Sequence, residues 1–179
     1  PTQAQSPMDK AVETYRQAIS INTDYSDAYN NLGLALQDFG TPNEAIEAYK
    51  KAISLKPDYV EAHSNLGVAF KECGKLAEAI EAYRQAISIK PDYADAYNNL
   101  GVALQDFGTL NEAIEAYKKA ISIKPDYVEA HSNLGDAFKE SGQLAEAIEA
   151  YRKAISIKPD YAAASTTLGM NLPDSGTLN

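Results

Sequence analysis

The sequence predicts an all-α fold, a solenoid of antiparallel helix pairs with four full repeats and a half repeat at each end. Three observations carry that prediction. The dipeptide Leu-Gly begins at residues 32, 66, 100, 134 and 168, always 34 apart. Gly40, Gly74, Gly108, Gly142 and Gly176 keep the same step, as do Tyr15, Tyr49, Tyr83, Tyr117 and Tyr151. Small residues and prolines complete the pattern at Ala11, Ala45, Ala79, Ala113 and Ala147, and at Pro57, Pro91, Pro125 and Pro159. A fixed period of this length marks units that cannot bury their apolar faces alone and therefore stack.

The full units run over 26–59, 60–93, 94–127 and 128–161. Residues 8–25 read as a half unit supplying a second helix, 162–179 as a truncated half unit supplying a first helix, and 1–7 as an unstructured segment. A longer period lies above the shorter one. Residues 26–93 and 94–161 differ at few places, among them Leu34 versus Val102, Pro42 versus Leu110, Val68 versus Asp136 and Cys73 versus Ser141. The duplicated element is thus a pair of repeats.

Within 26–59, Asp24 and Asp27 read as a capping box with a short acid, and Asp58/Glu61 and Asp126/Glu129 as closer versions of it. Ala28, Tyr29, Leu32, Ala35 and Leu36 recur at helical spacing and predict the first helix. Gly40 ends it in a left-handed cap. Thr41 then offers a capping hydroxyl, Pro42 a first-turn proline and Glu44 a third-position acid for the second helix. Ala45, Ile46, Tyr49, Ala52 and Ile53 form the buried stripe of that helix. Glu47 and Lys51 read as an i,i+4 pair on its outer face, and Pro57 prevents continuation. Gly33 and Ala45 leave room for close approach of the two helices, with Tyr49 filling the gap beyond.

These residues carry a resemblance. A 34-residue period with Leu-Gly, a later Ala, an aromatic, Ala and then Pro resembles the tetratricopeptide repeat (TPR) over nearly the whole chain. The resemblance implies a right-handed superhelix whose first helices line a concave groove and whose second helices form the convex side. It also implies a protein-binding scaffold that takes an extended peptide or a partner protein in that groove.

Asn31, Asn65, Asn99 and Asn133 stand just before four of the Leu-Gly pairs, with Thr167 in the fifth. Asparagine is a poor mid-helix residue because its side chain competes for the backbone. The family resemblance places it in the groove, where an amide can meet both C=O and N–H of a guest backbone. The row resembles the asparagine ladder in the TPR arm of O-linked N-acetylglucosamine transferase at these four positions. The competing expectation is that each amide bonds the adjacent repeat. The same resemblance places Asp27, Glu61, Asp95 and Glu129 in a second row. Asn30 and Asn98 share a third row with Ser64 and Ser132. Gln37, Lys71, Gln105 and Lys139 make a fourth, and Leu34, Val68, Val102 and Asp136 a short apolar strip. The chaperone-tail-binding TPR subclass clamps a carboxylate with Lys and Arg, which are missing from the rows it uses.

Composition narrows the partners. A net charge of −9 repels phosphate backbones and anionic membranes and favours basic partners. No apolar run approaches the ~20 residues that span a bilayer, and the first residues lack a signal-peptide pattern. One cysteine, Cys73, cannot build an intrachain disulfide framework. A reducing cytoplasm suits such a chain, and a periplasm also accommodates it. No GxSxG, phosphate loop, CxxC or HExxH occurs, so neither catalysis nor a cofactor is expected. His63 and His131 stand where Tyr29 and Tyr97 stand in alternate repeats and read as packing residues rather than metal ligands. Cys73 reads as an incidental thiol. Tyr25, Tyr59, Tyr93, Tyr127 and Tyr161 are expected to brace the turns between repeats.

The two half units are complementary, so head-to-tail self-association is expected, with Asn171 and Pro173 disturbing the last helix. A non-catalytic arm of a larger enzyme, such as a glycosyltransferase, and a self-assembling structural protein are the alternative readings.

Overall fold

The computed structural model describes residues 7–160. Among them lie nine α-helices: α1 Pro7–Ile21, α2 Ser26–Asp38, α3 Pro42–Leu55, α4 Val60–Glu72, α5 Leu76–Ile89, α6 Ala94–Phe107, α7 Leu110–Ile123, α8 Val128–Glu140 and α9 Leu144–Ile157. They form two compact units, α1–α5 up to Pro91 and α6–α9 from Asp92 onward. The expected half unit at 162–179 and Tyr161 lie outside the described residues, as do residues 1–6; Pro7 belongs to α1.

In the first unit each helix packs on the next in chain order, and α2 also touches α4. In the second unit α6, α7, α8 and α9 pack in order, and α6 touches α8. First helices therefore stand side by side, with the second helices behind them. The close approach within each pair has a specific cause. A Cβ on Gly67 would lie 2.6 Å from Tyr83 Cε1, and one on Gly135 2.5 Å from Tyr151 Cε1. Gly33 and Gly101 face Tyr49 and Tyr117 in the same way. The four tyrosines are the largest fully buried side chains, and Ala45, Ala79 and Ala113 are wholly covered. Each second helix thus presses an aromatic ring onto bare backbone of the first.

The helix stops follow the expected chemistry. Gly40 has φ of 82°; its N–H bonds Gln37 O at 2.9 Å, and Thr41 N–H bonds Leu36 O at 2.9 Å. This is the Schellman pattern, repeated at Gly74, Gly108 and Gly142.

The expected N-terminal caps do not form. The N-cap of α2 is Tyr25 and that of α4 is Tyr59, neither with a side-chain cap bond, so Asp24/Asp27 and Asp58/Glu61 make no capping box. The same holds at α8, where Tyr127 replaces the expected Asp126. Thr41 is the N-cap of α3, but its hydroxyl donates backward to Leu36 O at 2.9 Å. Thr109 repeats this with Leu104 O at 3.0 Å. The hydroxyls satisfy orphan carbonyls of the preceding helix instead of orphan amides of their own. On the outer face Glu47 pairs with Lys50 at 3.0 Å, an i,i+3 contact in place of the expected Lys51.

Candidate functional site

The exposed side chains of α2 and α4 form one wall, and those of α6 and α8 form an equivalent wall in the second unit. On each wall, polar side chains from one first helix meet those of the next in a ladder of three rungs. In the first unit the Asn65 Nδ2 donates to Asn30 Oδ1 at 3.1 Å. Gln37 Nε2 donates to Glu72 Oε2 at 3.0 Å. The Tyr59 hydroxyl donates to the Asp27 carboxylate. In the second unit Asn133 meets Asn98 at 3.0 Å, Gln105 meets Glu140, and the Tyr127 hydroxyl meets Asp95. Every rung joins one first helix to the next first helix or to its N-cap residue, α2 to α4 and α6 to α8.

The rungs correct part of the expected site. Asn30 and Asn98 are 5% and 7% exposed and their carbonyls accept from Asn65 and Asn133, so they support the wall from behind rather than facing a guest. Gln37 accepts from the Tyr49 hydroxyl at 2.6 Å while donating to Glu72, and Gln105 accepts from Tyr117 at 2.9 Å. Both amides are thus occupied at each end. Asp27 and Asp95 remain exposed but hold Tyr59 and Tyr127, the N-cap residues of the following first helices. Sequence spacing does contain the signal. Asn30/Asn65 and Gln37/Glu72 are 35 residues apart and recur as Asn98/Asn133 and Gln105/Glu140.

What remains open on the wall is a smaller set. Asn31, Asn65, Asn99 and Asn133 are half-buried, with part of each side chain at the surface. Asn65 and Asn133 spend one amide hydrogen on a rung and keep Oδ1 as an acceptor. Glu61 and Glu129 are exposed, Lys71 is half-buried and Lys139 is exposed. Leu34 is 42% exposed, an apolar side chain between polar ones. Asn31 lies with Tyr15, Leu34 and Ala35 in a hollow of about 360 Å³ between α1 and α2.

The turn tyrosines brace the repeats as expected at Tyr59 and Tyr127. Lys56 Nζ lies 4.6 Å from the Tyr59 ring centre, and Lys124 likewise over Tyr127. Burial first, then the hydrogen bond to Asp27, pushes the Tyr59 phenol up to about 12. Burial raises Tyr49, Tyr83, Tyr117 and Tyr127 still further.

His63 and His131 turn away from this wall. Their Nε2 atoms lie 2.9 Å from Pro57 O and Pro125 O, where an Nε2–H donates to the carbonyl. They sit beside Phe70 and Phe138 in grooves that also take in the second helices. Cys73 Sγ lies 3.5 Å from Asn43 Oδ1. Among the described residues no cluster of three His, Cys, Asp or Glu side chains could hold a metal, and no helix is long and apolar enough to cross a membrane.

Paired antiparallel helices, first helices side by side and a Gly–Tyr contact in every pair define an all-α helical-repeat solenoid. The chain belongs to the tetratricopeptide repeat family. A family model described as TPR repeat matches residues 5–40, 42–74, 69–108, 106–142 and 135–170, and a second, described as Tetratricopeptide repeat, matches 26–56. Among solved structures, a crystal structure of MamA is 31% identical, with a TM-score of 0.79, covering 89% of this chain and 99% of that one. A second MamA crystal structure is 34% identical, with a TM-score of 0.77, covering 87% of this chain and 85% of that one. YrrB, described as a TPR protein with an unusual peptide-binding site, shares the fold at 21% identity and a TM-score of 0.76, covering 89% of this chain and 82% of that one. No curated protein sequence matches.

Proposed function

We propose that the chain is a non-catalytic protein-interaction scaffold whose first-helix walls bind an extended, basic peptide segment in the TPR groove. The observation that carries this is the half-buried asparagine on each wall, Asn65 in the first unit and Asn133 in the second, held by Asn30 and Asn98 yet keeping an acceptor free. An amide so oriented loses little further freedom on binding, which makes its hydrogen bond to a guest backbone more effective. Glu61 and Glu129 add negative charge beside the row, and a chain of net charge −9 steers cationic guests toward it. Asn31, Asn65, Asn99 and Asn133 read the main chain. Lys71 and Lys139 border the row and disfavour a second positive charge at their own level.

Each such bond nets only ~0.5–1.5 kcal/mol, so binding is weak and tolerant of guest sequence. A capped-peptide array, screened with the parent and with a variant carrying Ala at all four asparagines, tests the reading. The variant is expected to lose the array signal with its helical circular dichroism intact. Retained signal would dismiss the asparagines as readers.

Self-association is a second reading, favoured by the hollow between α1 and α2. Tyr15 is only half-buried there, whereas its four equivalents are fully covered by a Gly-bearing first helix. Residues 162–172 of another copy carry the matching Leu168-Gly169. Contact of that kind is head-to-tail and propagates. A mass that stays monomeric by sedimentation at high concentration removes it.

A further inference from the structure

One buried hydroxyl behind the first wall has no partner in the fold. Among the described residues, the Tyr83 hydroxyl is the buried side-chain polar atom that lacks a hydrogen-bond partner. The residue itself is 0% exposed. Its three fully buried equivalents are all satisfied. Tyr49 donates to Gln37, Tyr117 to Gln105, and Tyr151 to Asp136 at 2.6 Å. The repeat containing Tyr83 carries Lys71 where the first and third repeats have glutamine, and Val68 where the fourth repeat, which also has a lysine at 139, has Asp136. Lysine has donors only and valine has neither donor nor acceptor. Glu72 stands near enough to raise the phenol's pKa after burial has done so, but the hydroxyl makes no hydrogen bond to it. A buried donor with no acceptor is costly, and native structures rarely keep one without a reason.

The missing acceptor has a definite place. Tyr151 and Tyr117 show where the hydroxyl aims: at the wall side of the first helix, between the positions of Val68 and Lys71. Asn65 lies three residues before Val68 on the same helical face, and its Oδ1 is open. A donor and an acceptor are thus set one turn apart on α4. We infer that the Tyr83 hydroxyl is an anchoring donor for one main-chain carbonyl of a bound extended peptide, whose neighbouring N–H is accepted by Asn65 Oδ1. The inference rests on the groove reading above and names its strongest single contact. Access for the carbonyl requires the half-buried Val68 side chain to rotate aside. The second wall has no such anchor, because Asp136 already fills the place for Tyr151.

The test uses the full chain and a defined probe, the capped peptide acetyl-(Thr-Lys)4-amide, titrated calorimetrically. Tyr83→Phe is expected to weaken probe binding about two- to tenfold, the value of one neutral hydrogen bond. Its urea midpoint should stay at or above the parent's, since the substitution removes an unsatisfied group. Val68→Asn, which supplies an internal acceptor without charge, should weaken binding to the same extent while raising the midpoint. Unchanged probe binding in Tyr83→Phe, with binding lost in the four-asparagine variant, overturns the anchor and leaves the groove. A probe that ignores the parent protein overturns both. A midpoint for Tyr83→Phe lowered as far as that of Tyr151→Phe shows a hydroxyl already partnered inside the fold, and also overturns the anchor.

Discussion

Tyr83 and Tyr151 occupy equivalent places in the second and fourth repeats, pack on Gly67 and Gly135 in the same way, and are equally inaccessible. Yet one hydroxyl is orphaned and the other donates to a carboxylate at 2.6 Å. A single substitution, Val68 against Asp136, makes the difference. The geometry of the pair is set by the glycine and the ring. The wall residue only decides whether the ring's polar end is satisfied from within. Two units of nearly identical sequence can therefore share a fold and present different walls, apolar at Val68 in one and acidic at Asp136 in the other.

The largest expected effect concerns what the units share. Phenols raised by burial keep their protons in the folded state after the unfolded chain, near pH 10, begins to lose them. Stability from these groups is present below pH 10 and falls as pH rises through 10 toward the folded values, about 12 for Tyr59 and higher for the others. Hydrogen exchange should show both units losing protection together across this window. Protection lost from one unit alone would break their equivalence.

Next comes the glycine contact. Gly101→Ala forces the Tyr117 ring aside, a buried overpacking that costs about 1–3 kcal/mol. Gly67→Ala should match it in urea melts, because the two contacts are alike. A much smaller cost at Gly67 would mean that the orphaned ring moves more freely than its satisfied equivalents.

The tyrosines themselves sharpen the contrast. Tyr151→Phe removes a bond to a half-buried carboxylate and should cost about 1 kcal/mol, whereas Tyr83→Phe should cost nothing in the same assay. The smallest effect belongs to the rungs. Asn133→Ala should lower the second unit's stability by under ~1 kcal/mol, the net value of one hydrogen bond at a partly wetted site. The Asn98 carbonyl it leaves behind sets the upper end of that range.

Much of the fold was legible in the residues, because its determinants are local and repeated. Gly40 ends α2 in a left-handed turn, Pro42 opens α3, and Gly33 meets Tyr49 across a gap that only a missing Cβ provides. The caps were misread for a physical reason. Thr41 has a carbonyl acceptor, Leu36 O, within reach behind it, and tight Schellman geometry brings that acceptor closer than the amides ahead. The site was half legible. Helical spacing places Asn31, Asn65, Asn99 and Asn133 on the wall, but not which partner each amide chooses. That choice depends on how far one first helix slides along the next, a register that packing sets and a single repeat does not encode. Asn30 and Asn98 therefore read as groove residues until Asn65 and Asn133 are seen to hold them.

Amide chemical-shift mapping with acetyl-(Thr-Lys)4-amide tests the central claim most directly. The account predicts shifts concentrated on α2, α4, α6 and α8, around Asn31, Glu61, Asn65, Val68 and their equivalents, with α3, α5, α7 and α9 silent. Shifts gathered instead around Phe70 and Phe138 and the outer faces of the second helices would contradict it.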